Sequence, residues 1–116
     1  MNDCIFCKIM KGEIPSDRVY ENERLVCFRD IHPVTPVHVL IVPREHIRDM
    51  NELAGREDAG EILKAVAEAA EIVAEKEGIR ERGYRLINNC GAEAGQSVPH
   101  LHFHLLGGKV LGETLI

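Results

Sequence analysis

No apolar run in the 116-residue chain approaches the ~20 residues of a membrane-spanning helix, and no basic-then-apolar leader opens it. Together these absences predict a soluble, cytoplasmic protein. Positive charge is also scarce: 14 Lys and Arg stand against 19 Asp and Glu, for a net charge of -5. That balance argues against a polyanion such as nucleic acid, which calls for a basic face, and leaves a small phosphorylated ligand open. There is no internal repeat, low-complexity segment or interdomain linker, so one domain spanning residues 1–116 is expected. Four cysteines without an export signal read as thiols or metal ligands, not as a disulfide framework.

What the chain does have is a run of histidine in Pro99-His100-Leu101-His102-Phe103-His104-Leu105-Leu106-Gly107-Gly108, where three of the six histidines alternate with apolar residues. A period of two predicts a β-strand with the three imidazoles leaving one face and Leu101, Phe103 and Leu105 entering the core. Same-face neighbours on a strand are roughly 6.5 to 7 Å apart, close enough to act on one bound group. A half-buried strand that merely carries histidine on its wet face is the alternative. The loop upstream, with Gly91, Gly95, Gln96 and Ser97, favours the first reading: its backbone N–H groups can approach an anion, and the two polar side chains add neutral hydrogen bonds.

The remaining elements follow from period and punctuation. Asp3 as N-cap, Ile5 and Ile9 on one face and Gly12 as the stop predict a short helix that sets Cys4 and Cys7 one turn apart. This C-x-x-C is read as half a zinc site, as core thiols or as a redox pair. Val19–Glu21 and Leu25–Arg29 predict a hairpin around Asn22-Glu23, and the prolines of 30–36 predict an extended loop. His38–Pro43 is apolar enough for a strand covered on both faces. His46 falls at the following corner, where a histidine is usually just exposed. Glu57–Glu77 predicts one long helix with an alanine-rich stripe, and Tyr84–Asn88 a further strand leading to Asn89. The expected fold class is α+β: an antiparallel five-stranded meander with one long and one or more short helices.

From the residues alone, two chemistries stand open. One is phosphoryl or nucleotidyl chemistry with a nucleophilic imidazole, and the other is metal-assisted hydrolysis using an H-x-H pair.

The run Gly95–Gly108 resembles the signature of the histidine triad (HIT) superfamily, and its Gln-Ser lead and Leu-Gly-Gly tail resemble the Hint branch. The likeness extends through residues 4–9, 14–15, 28–31, 36–38 and 42–46. It implies hydrolysis or transfer at the α-phosphate of a nucleotide through a covalent nucleotidyl-histidine. In that scheme His102 is the nucleophile, His104 contacts phosphate, His38 supports the site, and Ser97 and Gln96 bind phosphate or leaving group. Asn89 meets the phosphate or ribose, Asp30 the ribose hydroxyls, and Ile5, Phe6, Ile9, Phe28, Ile31 and Leu40 line the base pocket.

The resemblance further implies a structural zinc on Cys4, Cys7, His46 and His100, no catalytic cofactor, and a homodimer joining two sheets into ten strands. The activity it favours is that of a purine nucleoside phosphoramidase, cleaving adenosine 5′-phosphoramidate. A dinucleoside polyphosphate hydrolase, a metal-dependent hydrolase and a nucleotide-binding regulatory module are the other readings. Two departures bear on specificity: Pro99 stands where relatives often carry an aromatic residue, and the tail from Lys109 to Ile116 lacks a tryptophan-containing end.

Overall fold

The structure is a computed structural model, and it describes residues 3–116. Chain order is α1 (Ile5–Met10), β1 (Arg18–Glu21), β2 (Leu25–Arg29), β3 (Val37–Pro43), α2 (Met50–Ala54), α3 (Ala59–Lys76), β4 (Tyr84–Ile87) and β5 (Phe103–Gly107). All strand pairs are antiparallel, and the five strands lie in the order β1-β2-β3-β5-β4. The expected meander therefore holds for three strands and then breaks. After β3 the chain crosses over through α2 and α3 to the far edge, and β5 returns into the gap beside β3.

This insertion sets the chemistry. Even-numbered residues of β2, β3 and β5 face α1, and odd-numbered ones face α3. Leu25, Cys27, Val39, Ile41, Phe103 and Leu105 pack with Ile62, Val66, Ala69, Ala70 and Val73 of α3 into the main core. Val26, Phe28, Leu40 and Val42 pack with Phe6 and Ile9 of α1 in a smaller one. β3 is buried along its whole length, as its sequence predicts. Burial also pushes the Cys27 thiol up to about 12, so it is an inert core residue.

Local chemistry explains where elements begin and end. Asn22 Oδ1 accepts from the N–H groups of Arg24 and Leu25, both at 2.8 Å, and closes the β1–β2 turn. The N-cap of α1 is Cys4 and not Asp3: its Sγ accepts from Cys7 N–H at 3.3 Å. α3 begins two residues later than expected, after Asp58, and α2 is an added turn capped by Asp49. The bidentate pair of Arg29 with Glu77, at 2.7 and 2.9 Å, fastens the end of β2 to the end of α3.

The Gly107-Gly108 pair is a packing requirement. A Cβ on Gly107 would sit 2.7 Å from Ile79 Cδ1, and one on Gly108, at φ +91°, would sit 2.9 Å from Pro36 Cβ. Close approach there seats the loop that delivers His38.

The histidine run is only half strand. β5 begins at Phe103; His100 lies in a bend, and Leu101 and His102 precede the ladder. Nor do the imidazoles form a wet face. His100 and His102 are buried, and His104 is half-buried.

Candidate active site and metal centre

The α1 face of the sheet carries the triad. Pairing of β3 with β5 puts Leu40 opposite His104 and His38 opposite Leu106, so the two histidines are diagonal neighbours on one face. Their Nε2 and Nδ1 atoms are 2.9 Å apart.

Hydrogen bonds assign each proton. The Val34 N–H donates to His38 Nδ1 at 3.1 Å, so the His38 hydrogen must be on Nε2. That hydrogen points at His104 Nδ1, with Asp30 Oδ2 3.4 Å from the same nitrogen. His104 then carries its own hydrogen on Nε2. His102 Nδ1–H donates to the His100 carbonyl at 2.7 Å, which leaves a free lone pair on His102 Nε2. The site therefore offers one bare imidazole nitrogen and, beside it, one imidazole N–H donor.

Burial lowers the pKa of His38, His102 and His104, the last to about 4, with the neighbouring imidazoles His102 and His38 adding to the depression at His104. All three are neutral near pH 7. Asp30, His38 and His104 also form a cluster of potential metal ligands. With Val34 holding the Nδ1 lone pair, His38 Nε2 has none to give a cation, so the cluster is a hydrogen-bond relay.

A cleft of about 250 Å³ opens beside the triad. Ile5, Phe6 and Ile9 of α1 form one wall, and Phe28, Leu40 and the exposed Ile31 form the other. His102, His104, Ser97 and Asp30 supply its polar end. Phe6 meets Phe28 edge-on at 5.7 Å and His102 edge-on at 5.0 Å, so α1 packs on His102 and on the apolar pocket at once.

His38 sits behind His104, where it supports that ring as expected. Asn89 and Gln96 do not line the cleft, and the Gln96 amide has partners within the protein: Oε1 accepts from Gly91 N–H at 2.9 Å, and Nε2 donates to the carbonyls of Arg48 and Val98 at 2.9 and 3.0 Å. Gln96 thus holds Ser97 in place. Sequence reasoning missed Ile14, Pro15, Ser16, Arg29 and Val98 in the lining. It also missed Asn88, whose Nδ2 donates to the His102 carbonyl at 2.9 Å just where the β4–β5 ladder ends. An asparagine at a strand end carries no signal beyond that of a turn residue.

On the far side of Phe6 the ligand atoms of Cys4, Cys7, His46 and His100 lie within 4.8 Å of one another. The Sγ to Nδ1 distances are 3.3 Å for Cys4–His100, 3.3 Å for Cys7–His46 and 3.7 Å for Cys7–His100. Tetrahedral zinc with bonds of about 2.3 Å to sulfur and 2.0–2.1 Å to nitrogen separates S from N by roughly 3.6 Å, within a few tenths of an ångström of these three distances, so the donor set suits the ion. The second shell fits too: His100 Nε2–H donates to the Pro43 carbonyl at 2.8 Å, leaving Nδ1 free to coordinate. Burial and the adjacent Cys4 thiol raise the pKa of Cys7, an opposition to thiolate that a bound cation reverses. When bound, zinc would tie α1 to the histidine run and supply no reacting group.

Fold and site together define a small α+β hydrolase built on a histidine triad. A HIT domain model matches residues 11–111, and the chain belongs to that family. It is 44% identical over 113 residues to the purine nucleoside phosphoramidase of Escherichia coli K12, covering 97% of this chain and 93% of that one. A HIT family hydrolase from Clostridium thermocellum superimposes with a TM-score of 0.94 at 51% identity, over 100% of this chain and 99% of the other. A histidine triad protein from Clostridium difficile gives 0.91 at 41%, over 98% and 97%.

Two expectations follow. Protein purified without added metal should hold about one equivalent of zinc per chain, and a chelator should lower its melting temperature. Less than a tenth of an equivalent, with melting unchanged by chelation, would exclude the structural zinc. In an NMR titration the His104 ring should stay neutral through about pH 5.5 and take up its proton near 4, well below the ordinary imidazole value of 6.5. Because the unfolded chain takes up that proton at the higher pH, the fold loses stability as pH falls from 6.5 toward 4. A His104 midpoint at or above 6.5 would contradict this.

Proposed function

We propose that the chain is a purine nucleoside phosphoramidase that works through a covalent nucleotidyl-histidine. The observation that carries this reading is the proton arrangement of the triad: His102 Nε2 has a free lone pair because its Nδ1–H is held by the His100 carbonyl. The purine packs between α1 and Phe28, with Ile31 folding over it, and the Asp30 carboxylate accepts from the ribose hydroxyls. The α-phosphate rests among His102, the Nε2–H of His104 and Ser97.

His102 Nε2 attacks phosphorus. The phosphorus–nitrogen bonding pair departs on the amine, which takes a proton from water at the exposed Ser97 end of the cleft. The hydroxide equivalent of that water then adds to phosphorus, and the bonding pair returns to His102 Nε2. Hydrogen-bond donors, not cations, meet the phosphate throughout. His38 and Asp30 act through His104, fixing which of its nitrogens carries hydrogen.

The 44% identity to a relative bearing that activity supports the phosphoramidase reading over a dinucleoside polyphosphate hydrolase. The occupied lone pair of His38 weighs against a metal-dependent hydrolase. Zinc thiolates fit a reducing compartment, which supports a cytoplasmic setting.

We also propose a two-fold homodimer through β4, an edge strand with Tyr84 and Leu86 exposed along it. Sedimentation at micromolar concentration should show a species of twice 13.0 kDa. A 13.0 kDa species alone would refute the dimer.

His102→Ala should fold and still bind nucleotide, since cleft and relay remain. Its kcat/KM for adenosine 5′-phosphoramidate should fall about 10³-fold or more, roughly 4 kcal/mol of transition-state stabilisation. His104→Ala should cost less. Acid-quenched wild-type enzyme should carry one nucleotidyl group on a peptide containing His102. Wild-type turnover by His102→Ala would overturn the covalent mechanism.

A further inference from the structure

A second cleft, of about 570 Å³, lies across a ridge from the nucleotide cleft. Ile5, Ser97 and Val98 belong to both. His102 and His104 line only the first, whereas Pro99 and Asp3 line only the second, beside the Cys7 and His46 pair. On the phosphoramidase reading, base, ribose and phosphate take named parts of the nucleotide cleft. The polar side chains at its phosphate end, His102, His104 and Ser97, are all turned to phosphate. Ser97 is the one polar side chain common to the two clefts. Phosphorus held between His102 and Ser97 therefore presents its leaving group at the ridge, with the second cleft as the next enclosed space.

That space has its own chemistry. Ile5, Val98 and Pro99 make it apolar, with no Lys or Arg in the lining and with the Asp3 carboxylate as its acid group. On the phosphoramidase reading, we propose that this cleft is the subsite for the leaving amine, taking amines with an apolar body and rejecting those that carry a carboxylate. Proline at position 99 suits the role. It is exposed on the rim and too small to fill the space, so a large ring at the same place would close it.

The test uses adenosine 5′-phosphoramidates of four amines: ammonia, ethanolamine, 2-phenylethylamine and β-alanine. Wild-type kcat/KM should be about tenfold higher for the phenylethyl compound than for the ethanolamine one, amines of similar basicity, and lowest for β-alanine. Pro99→Trp should remove the phenylethyl advantage and leave the unsubstituted phosphoramidate within about twofold of wild type. That retained rate also shows that the variant has folded. Asp3→Lys should raise the β-alanine rate threefold or more and leave the unsubstituted rate unchanged.

Equal loss on all substrates in Pro99→Trp, an unchanged phenylethyl advantage, or no wild-type preference among the amines would overturn the subsite while leaving the phosphoramidase reading standing. Failure of the wild-type enzyme to turn over even the unsubstituted compound would overturn both.

Discussion

Three parts of the molecule meet at the buried ring of His100. Its Nε2–H is tied to the Pro43 carbonyl at the end of β3, its Nδ1 faces the thiols of Cys4 and Cys7, and its own carbonyl accepts the Nδ1–H of His102. The residue that anchors the helix wall thus also fixes the tautomer of His102. Phe6 closes the loop, with its ring edge-on to His100 at 5.7 Å and to His102 at 5.0 Å. Moving α1 moves the apolar cleft, the thiol cluster and His102 together, because packed interiors transmit displacement instead of absorbing it.

The electrostatics suit an acidic protein that handles an anion. Arg29 is the cationic side chain of the nucleotide cleft, and its charge is committed to Glu77 and Asp17. In the proposed reaction, attraction for phosphate would come from oriented N–H and O–H groups, whose strength is set by geometry in a partly dry cleft and not by net charge. Burial serves the same end at the triad. Desolvation keeps three clustered imidazoles neutral, so the His102 Nε2 lone pair is available without a base to remove a proton.

Much of this was legible in the sequence, because periodicity and punctuation are local. The long helix, the β1–β2 hairpin and the doubly covered β3 come from residue patterns that tertiary contacts reinforce. The cleft residues Ile5, Phe6, Phe28 and Leu40 came from resemblance, since by pattern alone they are ordinary core. Strand order was not legible: adjacency of β5 to β3 depends on where a crossover lands, and no local residue records that. The alternation of His100, His102 and His104 suggested a continuous strand with all three imidazoles leaving one face, whereas the strand begins only at Phe103 and the rings of His100 and His102 are buried. Gln96 was misjudged for a related reason. A polar residue beside a phosphate loop looks like a ligand contact until its three partners within the protein are seen.

The two edges of the sheet are unlike. β1 is irregular between Arg18 and Tyr20, and its outer rim carries the Arg18–Glu21–Arg44 charges, with Arg18 also bonded to the Ile9 carbonyl. β4, the opposite edge, is short and pairs with β5 in unbroken register. A sheet blunted at one rim and open at the other can accept one copy of itself, related by a two-fold axis, and then has no adhesive rim left. In the proposed dimer, growth would end at that step, and runaway stacking into fibres would be shut off by the irregular β1 rim and the ion pairs that finish the first hairpin.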